Sequence, residues 1–169
     1  MKILITYFSN TGNTEKVANA MKDALSDQEI DLFKAKEMNP QNLNNYDIVI
    51  LGSGIYAGKI NRSILDLMKR ADQIPSKFIL FNTHASLEHY QHSFKRVKKI
   101  ISNAGAEVIG EWDCRGDNIG LPKEIIEQRL ASLPPEERKK AEKSQKDLKG
   151  RPNNEDLNNA KKFITSIIK

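Results

Sequence analysis

Cysteine is almost missing from this chain: Cys114 is the only one among 169 residues. A lone thiol closes no internal disulfide, and the three histidines, His84, His89 and His92, have no cysteine companions at zinc-ligand spacing, so the fold has to stand on its own apolar core. Long hydrophobic runs are missing too. No apolar stretch approaches the ~20 residues that cross a bilayer, and no membrane span is expected. MKILITYF leads straight into an expected strand without the small-residue cleavage site of a secretory signal, which makes the cytoplasm the expected location. Internal repeats and low-complexity tracts are lacking. Acidic residues are outnumbered, 22 against 27 Lys and Arg, for a formal net charge of +5. These positive side chains are interleaved with Glu and Asp and lack the interspersed aromatics of a nucleic-acid surface, so solvated helix faces account for them and no nucleic-acid partner is expected. Even the densest cluster, KRVKK at 95–99, sits on an expected helix whose buried side is Val97, Ile100 and Ile101.

What is present is an ordinary globular composition, 38% hydrophobic and 29% charged, of a length that suits one domain across 1–169. ILITYF (3–8), DIVILGS (47–53) and KFILFNT (77–83) are nearly continuous apolar runs, the pattern of strands buried on both faces of a parallel sheet. EIDLFKA (29–35) and EVIGEWDC (107–114) alternate more and belong nearer the edges. Amphipathic stretches fall between them. The stretch 14–26 turns Val17, Ala20, Met21, Ala24 and Leu25 inward, and 62–72 does so with Ile64, Leu65 and Met68. A third helix is expected at 91–104 and a last one at 154–168, burying Leu157, Ala160, Phe163, Ile164 and Ile167. Strand and helix alternate five times. This predicts a three-layer α/β fold with a doubly wound, five-stranded parallel sheet, and ligands beyond the carboxyl ends of the strands at the switch point. Residues 115–152 read as a helical insertion before the last helix, with two short helices starting near Pro122 and Pro134, too small and polar to form a domain.

The chemistry lies in the loops after strands one, three and four, the stretches richest in Gly, Ser, Thr, Asn and Tyr. SNTGNT (9–14) stands between the first strand and the first helix with one glycine and no charge. The hydroxyls of Ser9, Thr11 and Thr14, the amides of Asn10 and Asn13, and successive N–H groups at a helix N-terminus can surround a dianion without any Lys or Arg, while Gly12 lets the backbone approach closely. A simple helix cap needs one such residue; here five surround a glycine. The next loop, GSGIYAGK (52–59), is no Walker A loop, because GxxxxGK[ST] needs glycine where Ser53 stands and a hydroxyl where Ile60 stands. It also reads as GxGxxxG, but a dinucleotide fingerprint opens the first βα unit, a place held by SNTGNT. A phosphotyrosine-phosphatase loop is excluded, since Cys114 is followed directly by Arg115 and not by a cradle that arginine closes. Cys114 reads as a small buried hydrophobe or, with Arg115 and Asp117, as a substrate contact.

SNTGNTEKVA after the first strand, YDIVILGSGIYAG around the third and five βα units in order resemble the flavodoxin family over nearly the whole chain outside 115–152. The tail GRPNNEDLNNAKKF is similar to the ends of a flavodoxin-like subgroup. The resemblance implies strand order 2-1-3-4-5 and one bound FMN. It puts Ser9, Asn10, Thr11, Gly12, Asn13 and Thr14 around the phosphate, and Ser53, Gly54, Ile55, Tyr56, Ala57 and Gly58 against the isoalloxazine ring. Asn82, Thr83, His84, Ala85 and Ser86 follow by position from the third loop. Tyr56 is the expected stacking partner, with burial in the core as the plainer alternative, and the Ala57–Gly58 peptide is expected near flavin N5. No metal ligand and no side chain catalytic in its own right is implied. The third loop, NTHASLEHY (82–90), departs from the family, which has glycines and acidic residues there.

Two functions follow from the resemblance. The first is an electron carrier, shuttling between FMN oxidation states for a reductase and an acceptor enzyme. The second is an FMN-dependent oxidoreductase acting on a small molecule such as a quinone or a protoporphyrinogen-like substrate, because GSGIYAGK followed by a helix is also similar to the matching stretch of the menaquinone-linked protoporphyrinogen oxidases. A flavodoxin-like module without FMN is a third alternative, against which the intact phosphate loop speaks. Compared with acidic surroundings, a basic chain with His84 in the third loop penalises an anionic reduced flavin less, so a milder potential is expected. The insertion reads as either a docking platform or a lid.

Overall fold

The computed structural model describes residues 1–168. Five long strands, β1 (Lys2–Phe8), β2 (Glu29–Lys34), β3 (Ile48–Tyr56), β5 (Lys77–His84) and β6 (Glu107–Arg115), pair in parallel in the order β2-β1-β3-β5-β6. Counting the long strands alone, this is the expected order 2-1-3-4-5. A sixth, two-residue strand that the hydrophobic pattern does not reveal, β4 (Lys59–Ile60), folds back antiparallel on the end of β3.

The central strands are apolar at nearly every position because helices cover both faces. Ile3, Ile5, Ile48, Ile50, Ile79 and Phe81 pack with α1 (Asn13–Ala24) and α6 (Asn154–Ile167). Their neighbours of opposite parity, Leu4, Val49, Leu51, Phe78 and Leu80, pack with α2 (Arg62–Arg70) and α3 (Lys95–Asn103). Each such side chain contributes roughly 1.5–3 kcal/mol on burial, so the two cores, not any cross-link, hold the layers together. Gly52 pairs in register with Phe81. A Cβ on it would lie 2.1 Å from the Phe81 Cζ, so the ring uses the space that glycine leaves.

Helix α3 starts at Lys95, four residues later than the periodicity suggests. Residues 91–94 are turns, with the Ser93 N–H donating to Tyr90 O and the Lys95 N–H to His92 O, and buried Phe94 anchors the helix start. Cys114 is buried among the α1 and α6 contacts as a small hydrophobe, and burial pushes its thiol well above the ordinary range.

The insertion folds as two helices, α4 (Lys123–Ala131) and α5 (Pro135–Leu148). α4 buries no side chain, and α5 buries only Leu148. The hairpin is held by polar ties at its base. Asp117 donates its N–H to Arg151 O (2.8 Å), accepts the Gly150 N–H on its carboxylate (2.9 Å), and accepts the Asn13 amide on its carbonyl (2.8 Å). Arg115 donates to Ala85 O (3.0 Å) and to Ser144 Oγ (2.6 Å), pinning α5 to the third loop. The chain then enters α6 through a capping box of Asn153 and Asp156, the latter also paired with Arg151.

Candidate functional site

Beyond the carboxyl ends of β1, β3 and β5 the three polar loops enclose a cleft of about 750 Å³. Its first wall is residues 9–14. Gly12 adopts φ 90°, a left-handed conformation open to glycine, with nothing within 4 Å of where its Cβ would be. Its N–H donates to Ser9 Oγ at 3.0 Å, which closes the loop and leads into α1. Among the described residues, the N–H groups of Asn13, Thr14 and Glu15 that follow have no acceptor. The Thr14 and Thr83 hydroxyls pair at 2.8 Å, so one of the two hydrogens is left over. Buried Asn13 Oδ1 is an acceptor with no donor. N–H groups at a helix start with a spare O–H suit an anion, and a lone amide oxygen beside them suits a hydroxyl of the same ligand.

The second wall is the hairpin from β3 to β4. Ala57 at φ 49° and Gly58 at φ 75° form its two-residue loop between paired Tyr56 and Lys59, the double positive φ of a type I′ turn. For Ala57 that conformation costs roughly 1–2 kcal/mol, strain stored at the edge of the cleft. Tyr56 meets Phe8 edge-on with ring centroids 5.8 Å apart, and its hydroxyl accepts the Asn10 N–H at 3.3 Å. Burial raises the phenol, and the Asn10 bond opposes that shift.

The third wall centres on His84, whose side chain is 3% exposed. Nδ1 faces Ser86 O at 2.6 Å and Nε2 faces the Asp113 carboxylate at 3.0 Å. Both partners are acceptors, and the ring is held between them. The ring stacks on Tyr90 at 3.7 Å and 5°. Asp113 therefore stands beside whatever charge His84 carries, a counter-charge that weakens its field in the cleft.

Of the residues expected from the sequence, Ser9, Asn10, Thr11, Asn13, Thr14, Gly54, Ile55, Tyr56, Ala57, Gly58, Thr83, His84, Ala85 and Ser86 line this one cleft. Gly12 shapes the loop behind it. Ser53 is fully buried, its Oγ accepting the Asn61 N–H (3.0 Å) and donating to Gly54 O (2.7 Å), so it braces the hairpin from behind. Asn82 turns to a second cavity, of about 180 Å³, bounded also by Ser93, Trp112 and Asp113. Further lining residues are Asp117 at the base of the insertion, singled out in the sequence as a substrate contact, Tyr90 and Glu88 in the third loop, and Arg129, Gln145 and Leu148 from α4 and α5. Of the others, Tyr90 alone has a legible signal, an aromatic in a polar loop. Arg129 is the one Arg or Lys among the described lining residues.

A family model described as Flavodoxin domain matches residues 4–165. An uncharacterised protein of Methanocaldococcus jannaschii is 30% identical over 172 residues, covering 100% of this chain and 99% of that one. Oxidised Flavodoxin 1 from Bacillus cereus shares the fold with a TM-score of 0.69 and 18% identity, over 99% of this chain and 97% of that one. A Fusobacterium nucleatum flavodoxin mutant bound to flavin mononucleotide does so with a TM-score of 0.57 and 17% identity, over 64% of this chain and 67% of that one.

Proposed function

The chain belongs to the flavodoxin domain family, and from that membership we propose that it binds one FMN in the cleft and carries electrons between redox partner proteins, a reductase and an acceptor enzyme. The observation that carries this reading is the unmatched donor set at the start of α1. The free N–H groups of Asn13, Thr14 and Glu15 and the spare hydrogen of the Thr14–Thr83 pair fit a phosphate dianion, and Asn13 Oδ1 fits a hydroxyl of the ribityl chain. Tyr56 and the third loop offer faces for the ring. Bound FMN supplies reversible electron transfer; the chain's own residues bind it, orient it and exclude water. A terminal phosphate is favoured over the pyrophosphate of FAD because the insertion base packs on this loop, a Cβ at Gly120 lying 3.1 Å from Thr11 Cγ2, where an adenosine would need an exit. The proposed location is the cytoplasm; no described helix is long and apolar enough to cross a membrane.

Flavin released by heat from the purified protein and identified by chromatography tests the reading. One FMN per chain is expected. FAD, or no flavin after reconstitution, would overturn it.

One observation favours a second reading, an FMN-dependent oxidoreductase acting on a quinone or a protoporphyrinogen-like molecule. The insertion walls the cleft, adding apolar Leu148, the Gln145 amide and the Arg129 guanidinium to one side, surfaces suited to a flat molecule with an anionic or carbonyl group. Saturable reoxidation of the reduced protein by a small quinone would support this reading over the carrier.

A further inference from the structure

Helix α5 has two opposed faces. Ala141, Ser144, Gln145 and Leu148 line the cleft. At about 100° per residue, the opposite side carries Lys139, Lys143 and Lys146, all exposed and, among the described residues, without an ion pair. Lys140 and Lys149 flank them, and the ion pair within the helix joins Arg138 to Glu142. Residues 115–152 hold ten basic and seven acidic side chains, so three of the chain's five net positive charges belong to the insertion. A helix with its side chains is about 10–12 Å across, which sets the distance from the lysine stripe to the cleft wall.

We propose that the outward, lysine-bearing face of α5 docks a small acidic redox protein. The charge selects the sign of the partner: unpaired lysines on an exposed helix attract a negative surface over about a Debye length and raise encounter rates. Nucleic acid fits less well, because Glu142 and Asp147 stand among the lysines and no aromatic does. A membrane surface fits less well too, since the outward face has no large apolar side chain. The proposal rests on the carrier reading in one respect: each docking event moves one electron, which the partner's redox centre gains as the cleft-bound flavin loses it.

The test uses a small acidic ferredoxin as probe, with binding read by calorimetry on both the flavin-free and the FMN-loaded chain. Binding is expected in both at about 10 mM salt, weakening at least tenfold by about 0.15 M. The triple variant Lys139→Glu, Lys143→Glu, Lys146→Glu is expected to bind at least about tenfold more weakly at low salt, with circular dichroism and FMN affinity unchanged. No ferredoxin binding at low salt, equal binding by the triple variant, or binding insensitive to salt would overturn the proposal. So would a polynucleotide that binds through the same lysines while ferredoxin does not. FMN titration is read separately, so failure to hold flavin overturns the carrier reading and leaves the docking measurement interpretable.

Discussion

The hydroxyls of Thr14 and Thr83 lie 2.8 Å apart, and through them the first turn of α1 is tied to the end of β5 across the end of the intervening β3. One side chain thus braces the fold and also offers a donor to the cleft. Thr11 is different: it is exposed, and its hydroxyl bonds to no described residue.

Thr11→Val and Thr14→Val are each expected to weaken FMN binding by about tenfold or more, at roughly 1.5–3 kcal/mol per charge-assisted bond, and to leave riboflavin affinity nearly unchanged. Thr14→Val alone should also lower fold stability, by about 1 kcal/mol. Parallel titrations of the apoprotein with FMN and riboflavin check this; equal losses for both ligands would show that the loop does not hold the phosphate.

Tyr56 can be dissected in two steps. Tyr56→Phe keeps the ring and frees the Asn10 N–H, so FMN affinity should hold or improve. Tyr56→Ala removes the stacking surface and should weaken FMN and riboflavin alike, by about 0.5–1.5 kcal/mol beyond the loss of buried area. If alanine leaves riboflavin binding intact, the tyrosine does not face the ring.

Gly52→Ala puts a methyl group into the Phe81 ring, which is fully buried and cannot step aside. A loss of about 1–3 kcal/mol or more is expected in chemical denaturation. Gly110→Ala should cost less, because the atom it meets is the flexible Ile167 Cδ1. Equal costs at the two sites would mean that β3 shifts to make room.

Asp156 and Tyr46 set opposite limits of pH stability. Burial alone would raise the Asp156 carboxyl, but Arg151 and the Asn153 N–H hold it below its ordinary value. Its contribution is complete above the unfolded value of about 3.9 and is lost as pH falls through the lower folded value. Asp156→Asn should therefore be less stable near neutrality and show a flatter acid limb. The Tyr46 phenol is pushed up to about 12, first by burial and then by its hydrogen bond to Asp31. Its contribution is complete below about pH 10 and is lost as pH rises through the folded value. Tyr46→Phe should flatten the alkaline limb, as followed by circular dichroism across pH.

The sheet was legible because strands covered on both faces are apolar at nearly every position, so 3–8, 47–53 and 77–83 stood out without any knowledge of their partners. The polar loops at their ends marked the cleft for the same reason: small hydroxyl and amide side chains are conspicuous where a strand meets a helix. β4 was not legible, since two residues carry no periodicity, and the positive φ of Ala57 is imposed by the hairpin and not by alanine. Arg129 and Gln145 were hidden because which side of a polar helix faces the cleft depends on ties such as Arg115 to Ser144, whose partners lie 29 residues apart. His84 was visible as an oddity in its loop, but its Asp113 counter-charge comes from the neighbouring strand and appears only in three dimensions.

Asp117 meets both Gly150 and Arg151, so the path out of the sheet and the path back share one residue. A segment fastened at such a point behaves as a cassette in a socket: its helices can be lengthened, recharged or exchanged while the strands below keep their register. Sheet and cleft wall then become separable parts, and residues 118–149, which bring Arg129 and Gln145 to the cleft, can change its lining without touching the strands.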